Sequence, residues 1–187
     1  FEHRADYADL YFQYTKSESF ALEEGIVKSG SFGIEQGVGV RAVIGDKTAF
    51  SYSDDISLDA LMEASRSVRS IARAGGGKVK VASRIAHRRQ PALYTHEDPL
   101  GSLDAAAKVQ LLERLEKMAR ARDPRVKQVM ANIGAEHDVI LVARSDGLLA
   151  ADVRPLVRVS LTVIVEQDGK REQGFAGCGG RHDLSFF

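Results

Sequence analysis

The sequence predicts an α+β fold made of antiparallel strand meanders, each packed with an amphipathic helix, in two subunits arranged in tandem. Residues 10–15 and 38–52 alternate between apolar and polar side chains, and residues 156–166 do so again. Residues 58–72 and 103–119 instead carry apolar side chains at helical spacing. Strands have a side-chain period of two and helices a period of 3.6, so each pattern indicates one kind of element.

The first subunit is predicted to span residues 1–77 and to open with a meander of four or five strands. Gly25, Gly30 and Gly33 interrupt an apolar segment, which is typical of a bent or bulged strand. The following helix is predicted to have Ser57 as its N-cap and Asp59 in its first turn. Its apolar stripe comprises Leu58, Leu61, Met62, Ser65, Val68, Ile71 and Ala72, and Gly75-Gly76-Gly77 is predicted to end it.

Residues 78–99 are basic and irregular and are predicted to be a linker, followed by a second subunit over residues 100–187. Ser102 or Asp104 can cap its helix, and Asp123-Pro124 is expected to stop it. The predicted buried face of this helix comprises Leu103, Ala107, Leu111, Leu115 and Met118.

Strands are predicted after this second helix. The apolar segment 139–143 favours a central strand, because both of its faces are apolar. Residues 156–166 favour a long strand with one buried side, and residues 167–170 a hairpin turn into a glycine-rich strand over residues 171–180. An exposed edge of the 156–166 strand could bind an extended peptide, unless a neighbouring strand already occupies that edge.

Composition limits the class of protein. The chain has 26 Lys and Arg against 26 Asp and Glu, so bulk charge does not indicate a nucleic-acid partner. Cys178 is the only cysteine, which excludes an intrachain disulfide and favours a reducing, cytoplasmic compartment. No apolar run is long enough to cross a bilayer. The chain starts at Phe1 rather than Met and ends in an apolar run without a predicted closing element, so both ends are interpreted as cuts in a longer chain.

Three glycine patterns resemble ligand-binding loops. Residues 37–42 fit a loose dinucleotide fingerprint, but the residues after them predict a strand where that fingerprint requires a helix. Gly77-Lys78 lacks the Ser or Thr of a phosphate loop. Residues 174–180 could cradle an anion, although a strand edge is the favoured interpretation.

Titratable residues do not form a recognisable site in the sequence. None of His3, His87, His96, His137 and His182 has metal-ligand spacing to another, and His96-Glu97-Asp98 is interpreted as a solvated loop. Cys178 with His182-Asp183 could suggest a nucleophile pair, but a small buried apolar role is favoured for the thiol. We therefore predict no catalytic, cofactor-binding or metal-binding residue in this chain.

Several segments together resemble the TldD/PmbA family, and the TldD branch more closely than the PmbA branch. They are residues 6–13, 36–42, 146–158, 166–172 and the glycine run through Arg181, in the same order and with similar spacing. The resemblance implies cytosolic zinc metalloproteases that cut small or unfolded peptides, mature modified peptides, and enclose a chamber between TldD-type and PmbA-type subunits. It also implies an HExxxH motif in the C-terminal half, whose histidines bind zinc and whose Glu activates water.

No HExxxH occurs in this sequence, so no zinc ligand or catalytic residue is transferred to it. The resemblance implies a non-catalytic N-terminal portion that shapes the peptide chamber and the subunit contacts. The alternative is a regulatory binding module of the DNA gyrase modulator type, in which Arg84, Arg88 and Arg89 would contact nucleic acid. A solvated charged loop is the favoured interpretation of those three residues.

Overall fold

The computed structural model describes residues 5–72, 85–87 and 93–187. Within them the chain forms seven strands and two α-helices, which confirms the predicted α+β class. The strands are β1 (Tyr7–Glu23), β2 (Ile26–Ile44), β3 (Lys47–Ser53), β4 (Ala86–His87), β5 (Val126–Arg144), β6 (Leu148–Gln167) and β7 (Lys170–Gly180); the helices are α1 (Leu58–Ala72) and α2 (Ala105–Arg122). Neither described helix is sufficiently long and apolar to cross a bilayer.

The strand order is β3-β2-β1-β5-β6-β4, with β7 also paired to β6. The β2–β3 and β6–β7 pairs are antiparallel, and the short β4 runs parallel to β6. β5 lies between two strands, which confirms the predicted central position of residues 139–143. Only one face of that segment is closed, however, because Ile140 is buried and Val139 is 40% exposed.

The predicted meander of four or five strands is wrong, because three strands of 17, 19 and 7 residues take its place. Gly30 and Gly33 lie inside β2 and do not interrupt it. The reversal falls instead at Glu24 and Gly25, whose φ angles of 54° and 70° are those of a two-residue type I′ hairpin turn. A glycine pattern therefore marked a turn at one position and a continuous strand at two others.

Two compact units can be distinguished by contacts, and each is assembled from separate segments of the chain. The first comprises residues 1–15, 34–92 and 138–153, and the second residues 16–33, 93–137 and 154–187. The predicted tandem division, with boundaries at residues 77 and 100, stays a prediction. Most of the predicted linker, and the Gly75-Gly76-Gly77 helix end, lie outside the described residues.

The core of the first unit lies between α1 and one face of its strands. Eight buried residues form it: Ala5, Ala8, Val40, Ala42, Ile44, Ala49, Ala64 and Val68. Ser57 caps α1, since its Oγ accepts a hydrogen bond from the Ala60 backbone N at 3.3 Å. The predicted stripe is wrong at Leu58 and Met62, which are exposed because only the face carrying Ala64 and Val68 meets the sheet.

The core of the second unit lies between α2 and its strands. Its buried members are Leu22, Leu100, Leu111, Leu112, Ala131, Ile133, Ala135, Val157, Val159 and Leu184. Asp104 caps α2, because its Oδ1 accepts a hydrogen bond from Ala107 N at 2.7 Å. Met118, which the helical spacing places in the core, is 63% exposed, so that part of the predicted buried face is wrong.

The end of the sequence also differs from the expectation that it lacks a closing element. Leu184–Phe186 forms a 3-10 turn capped by Asp183, and Leu184 is buried in the core of the second unit. The Leu184 backbone N donates a hydrogen bond to Ser102 Oγ at 3.0 Å, beside the start of α2. This turn closes one end of the second core.

Candidate functional site: a polar sheet face

A polar face of the first unit lies on the side of β1 opposite α1. Side chains alternate along a strand, so the residues of β1 that face away from Ala8 form one row. That row comprises Tyr7, Asp9, Tyr11, Gln13 and Thr15, and it continues to Arg41 on β2 and to Asp138 and Arg144 on β5. It brings aromatic, acidic and basic side chains of three strands together.

Asp9 and Arg41 form the centre of this face. Arg41 Nε lies 3.2 and 3.1 Å from the two carboxylate oxygens of Asp9, and Arg41 Nη2 also donates to Asp9. The Asp9 side chain is only 10% exposed, so the pair is partly shielded from water. The hydrogen bond and charge of Asp9 raise the pKa of Arg41, and the carboxylate is thereby committed to an internal partner.

Tyr7 lies between two arginines. The guanidinium carbons of Arg41 and Arg144 are 5.7 and 5.4 Å from the centre of its ring, within the range of cation–π attraction. Burial raises the pKa of Tyr7, and the hydrogen bond and negative charge of Asp9 raise it further. The phenol therefore stays protonated and serves as a stacking surface for the guanidinium groups.

A second carboxylate on this face is also committed to internal donors. Thr15 Oγ1 donates to Asp138 Oδ1 at 2.5 Å, and Gln13 Nε2 donates to the same oxygen at 3.2 Å. Asp138 is buried, so these bonds replace its hydration. Neither Asp9 nor Asp138 is available as a free base, and the arrangement of both indicates strand positioning rather than catalysis.

Charged groups in the second unit follow the same pattern. The buried Lys108 ammonium donates to Glu18 and, at 2.6 Å, to the carbonyl of Leu100. Lys16 Nζ lies 3.0 Å from Asp98 Oδ2. Burial opposes the shift, but the hydrogen bonds from Lys16 and Leu100 N together lower the pKa of Asp98. These pairs fix the segment before α2 to β1.

The histidines whose side chains the structure describes do not form a cluster with other potential metal ligands. His96 is exposed in a loop, as expected, and His182 stacks on Phe186 with 4.9 Å between ring centres. His137 is buried, and neither of its ring nitrogens has a hydrogen-bond partner. His3 and Arg84, Arg88 and Arg89 lie outside the described residues, as does the side chain of His87. In residues 5–72, 85–87 and 93–187, no three His, Cys, Asp or Glu side chains come together as a possible metal site.

The glycine patterns and Cys178 lie in strands. Residues 37–42 are part of β2, which agrees with the rejection of a dinucleotide loop, and residues 174–180 belong to β7. Cys178 is exposed, so its predicted burial is wrong; β7 carries no core-facing side. The edge of β6 predicted as a peptide-binding edge is paired with β7 from Val157 to Gln167.

The polar face was not predicted from the sequence. Tyr7, Asp9 and Gln13 alternate with Ala8 and Leu10, which in isolation is the pattern of a strand with one solvated side. The signal that could have located the polar face is the row of aromatic and acidic residues on the solvated side of β1, together with Arg41, which alternates with apolar residues on β2. Pairing between distant strands brought these residues together.

These features define a strand-rich α+β chain in which the buried or half-buried charged groups Asp9, Asp138 and Lys108 have internal partners, and the described residues bring no metal-binding cluster together. Family models for the PmbA/TldA metallopeptidase domain 1 and central domain match residues 8–72 and 98–187, respectively. The chain belongs to the PmbA/TldD metallopeptidase family and corresponds to the N-terminal portion of its relatives.

Individual relatives agree with this assignment. The chain is 46% identical over 182 residues to a "Metalloprotease TldD homolog" of Haemophilus influenzae and 42% identical over 185 residues to one of Buchnera aphidicola subsp. Schizaphis graminum. These matches cover 97% and 99% of this chain but only 38% of either relative. The identities, which involve TldD homologues, confirm the resemblance to the TldD branch.

Solved structures share the fold at low sequence identity. A proposed modulator of DNA gyrase from Bacteroides thetaiotaomicron is similar with a TM-score of 0.77 at 14% identity, over 96% of this chain and 42% of that one. TldE from Thermococcus kodakarensis is similar with a TM-score of 0.72 at 15% identity, over 95% of this chain and 40% of that one. At such identities the likeness concerns the fold alone.

Proposed function

We propose that this chain is the non-catalytic N-terminal portion of a zinc metallopeptidase of the TldD type that cleaves small or unfolded peptides. The observation that carries the proposal is the 46% identity to a TldD metalloprotease homologue across 97% of the chain. The internal partners of Asp9, Asp138 and Lys108 agree with a supporting rather than a catalytic role for these three residues. The whole protein would act in the cytoplasm, beside a TldD- or PmbA-type partner subunit.

The work proposed for these residues is to shape the peptide chamber and the subunit contacts. The hydrogen bonds of Asp9 and Asp138 join side chains of neighbouring strands, β1 to β2 and β1 to β5. A wall whose strands are joined in this way keeps a defined shape, which suits a supporting role.

The metal implied by the relatives' name does not fit the described part of this chain. Three or more ligands from His, Cys, Asp or Glu are usual for zinc in proteins, and residues 5–72, 85–87 and 93–187 bring no such group together. The lone buried His137 has no carboxylate or thiol among its hydrogen-bond partners. The proposal therefore assigns no step of peptide hydrolysis to residues of this chain.

The test compares the full-length protein with the 187-residue chain. Each is incubated with an unfolded, fluorogenically labelled peptide, with and without prior chelation, and zinc or magnesium is then restored. We expect zinc-dependent cleavage by the full-length protein, alone or with its PmbA-type partner, and none by the 187-residue chain. Cleavage by the chain alone, or no cleavage by the zinc-loaded full-length pair, would overturn the proposal.

The gyrase-modulator alternative receives no support from the described residues. Arg84, Arg88 and Arg89, which would contact nucleic acid in that hypothesis, lie outside them. The arginines of the polar face are paired with carboxylates: Arg41 with Asp9, and Arg144 with Asp146. A paired guanidinium contributes little net attraction for phosphate.

A further inference from the structure

His137 is a buried polar side chain without a hydrogen-bond partner. It is 9% exposed, and both of its ring nitrogens are inaccessible and unbonded. A neutral imidazole carries one donor and one acceptor, and both lose their hydration when the side chain is buried. Buried polar groups are almost always bonded, and an unsatisfied one favours any state in which water can reach it. His137 therefore biases the residues that cover it towards moving away.

Lys16 is the neighbour of His137 on β1. Two contacts fix the register of β1 against β5, namely Thr15 Oγ1 with Asp138 Oδ1 and the Glu24 N–H with the Val129 carbonyl. Between these contacts the residue numbers rise along β1 and fall by the same count along β5, so the two strands are antiparallel. Lys16 accordingly lies opposite His137, and opposite residues share one face of the sheet.

Asp98 places the segment before α2 over this part of the sheet. Lys16 Nζ donates a hydrogen bond to Asp98 Oδ2 at 3.0 Å. Burial opposes the lowered pKa of Asp98, and His137 is among the groups that lower it, after Lys16, so the imidazole lies within electrostatic range of the carboxylate. His137 alternates in step with Ala135, which belongs to the core of the second unit, so this polar cluster lies on the core-bearing face.

The other end of the segment lies over β6. The Tyr94 ring centre is 5.9 Å from the guanidinium carbon of Arg181, and Arg181 Nη1 donates to the carbonyl of Pro155 on β6 at 3.3 Å. β5 lies between β1 and β6, so residues 94–98 cross it. Two strand spacings are about 9.6 Å, and four extended residue steps reach about 13–14 Å, so the segment has little slack. We call residues 94–98 the strap.

The contacts at Asp98 hold the strap closed but remain accessible to water. The Lys16 and Asp98 side chains are 34% and 35% exposed, so water competes for their ion pair and its strength is modest. Beyond Asp98, Leu100 is buried and its carbonyl accepts a hydrogen bond from Lys108. The end of the strap nearest α2 is thus anchored in the core and provides a hinge.

We propose that the strap opens locally over His137, and that the unpartnered imidazole shifts its equilibrium towards the open form. In the open form water bonds to both ring nitrogens, whereas the closed form excludes it. Local opening of this kind involves only part of a folded protein and leaves the sheet intact. The strap is thus the adjustable element of the second unit, and any ligand that prefers the open form shifts it further.

The first test measures access to His137 in the full-length protein and does not depend on peptidase activity. Diethyl pyrocarbonate modifies accessible imidazoles, and peptide mass spectrometry reports the rate at each histidine. Asp98→Asn removes the ion pair and keeps an oxygen that can cap Leu100 N, so we expect His137 to react about fivefold faster in this variant. Asp168→Asn, in the β6–β7 turn, is the matched control and should leave the rate within twofold. An unchanged rate in Asp98→Asn would overturn the proposal.

The second test measures the bias that the imidazole exerts. A glutamyl endopeptidase is applied to the folded full-length protein, and each cleavage rate is divided by that of the urea-unfolded protein. Cleavage after Glu97, an exposed residue of the strap, should precede cleavage after Glu116 in α2, because only the strap opens locally. His137→Leu keeps a similar volume without polar nitrogens and should slow cleavage after Glu97 about tenfold.

His96→Leu is the control for this second test, because it makes the same substitution at an exposed position of the strap. It should leave the normalised rate after Glu97 within twofold. Equal rates after Glu97 and Glu116 in the unaltered protein would show that opening is global. That result, or a His137→Leu variant cleaved as fast as the unaltered protein, would refute the proposed strap.

Discussion

Replacing Lys108 by Met would test whether the buried ion pair positions the start of α2. The ammonium group is almost inaccessible, with a side chain 4% exposed, and it donates to Glu18 and to the Leu100 carbonyl. It also lies 6.0 Å from the centre of the Phe20 ring. The methionine side chain retains most of the apolar stem and removes only the charge and the donors.

The expected loss of unfolding free energy comes from Glu18 and the Leu100 carbonyl, which lose the Lys108 ammonium as their partner. Removing one partner of a buried pair costs about 3–5 kcal/mol, because the other charge stays without compensation. The side chain of Glu18 is 20% exposed, so water can partly solvate its carboxylate and the lower part of that range applies. The Leu100 carbonyl loses its donor as well, at about 1–3 kcal/mol if water cannot replace it. With the lower end of each range, we expect a total of about 4 kcal/mol.

The assay is urea unfolding followed by circular dichroism, with the double variant Lys108→Met/Glu18→Met as the matched comparison. The double variant removes both charges and should recover at least half of the loss, since no unpaired charge is then buried. A Lys108→Met variant within about 0.5 kcal/mol of the unaltered chain would refute the reasoning, because the pair would then carry no positioning role.

Three further predictions concern the second unit. Leu112→Ala should reduce the unfolding free energy in urea titrations by about 3 kcal/mol, because Leu112 is fully buried. Met118→Ala on the same helix should change it by less than about 0.5 kcal/mol, because Met118 is exposed. Similar effects of the two substitutions would contradict the assigned buried face of α2. Hydrogen bonds from Arg125 lower the pKa of Asp123 to about 2, so its carboxyl should titrate near that value by NMR in the folded chain and return towards 3.8 in Arg125→Gln. Because the folded-state pKa of Asp123 is depressed, the associated stabilisation is present above about pH 4 and is lost as the pH falls through about 2. An Asp123 titration midpoint near 3.8 in the unaltered chain would exclude the interaction. Gly179→Ala should lower the thermal midpoint and weaken β6–β7 pairing, because the added Cβ would collide with the backbone carbonyl of Val157 on β6. The pairing is measured by amide hydrogen exchange. Unchanged exchange would show that the two strands are not so close at this position.

Local signals in the sequence were sufficient for the helix starts and for one hairpin. Ser57 and Asp104 are N-caps in the structure, where a short polar side chain reaches the free amides of the first turn. The turn at Asp168-Gly169 is the predicted hairpin, with both residues at positive φ. Each of these features is decided by residues within four positions of one another, which a sequence displays directly.

Features that depend on distant segments were not predictable in this way. Met118 and Leu112 both fit the apolar periodicity of α2, but the way the helix packs on distant strands leaves Met118 exposed and Leu112 buried. The polar face likewise depends on β1, β2 and β5 being neighbours in the sheet, so the pairing of Asp9 with Arg41 could not be predicted from the sequence around Asp9. Periodicity indicates which residues share a face and does not indicate what covers that face.

The 3-10 turn at Leu184–Phe186 determines how short a stable piece of this protein can be. Leu184 is 1% exposed within the core that α2 covers, and its amide is bonded to Ser102. A piece ending at Gly180 would retain every strand yet open a leucine-sized hole next to the first residues of α2, at a cost of about 2–5 kcal/mol. Expression pieces for crystallisation or labelling should therefore extend at least through Phe187.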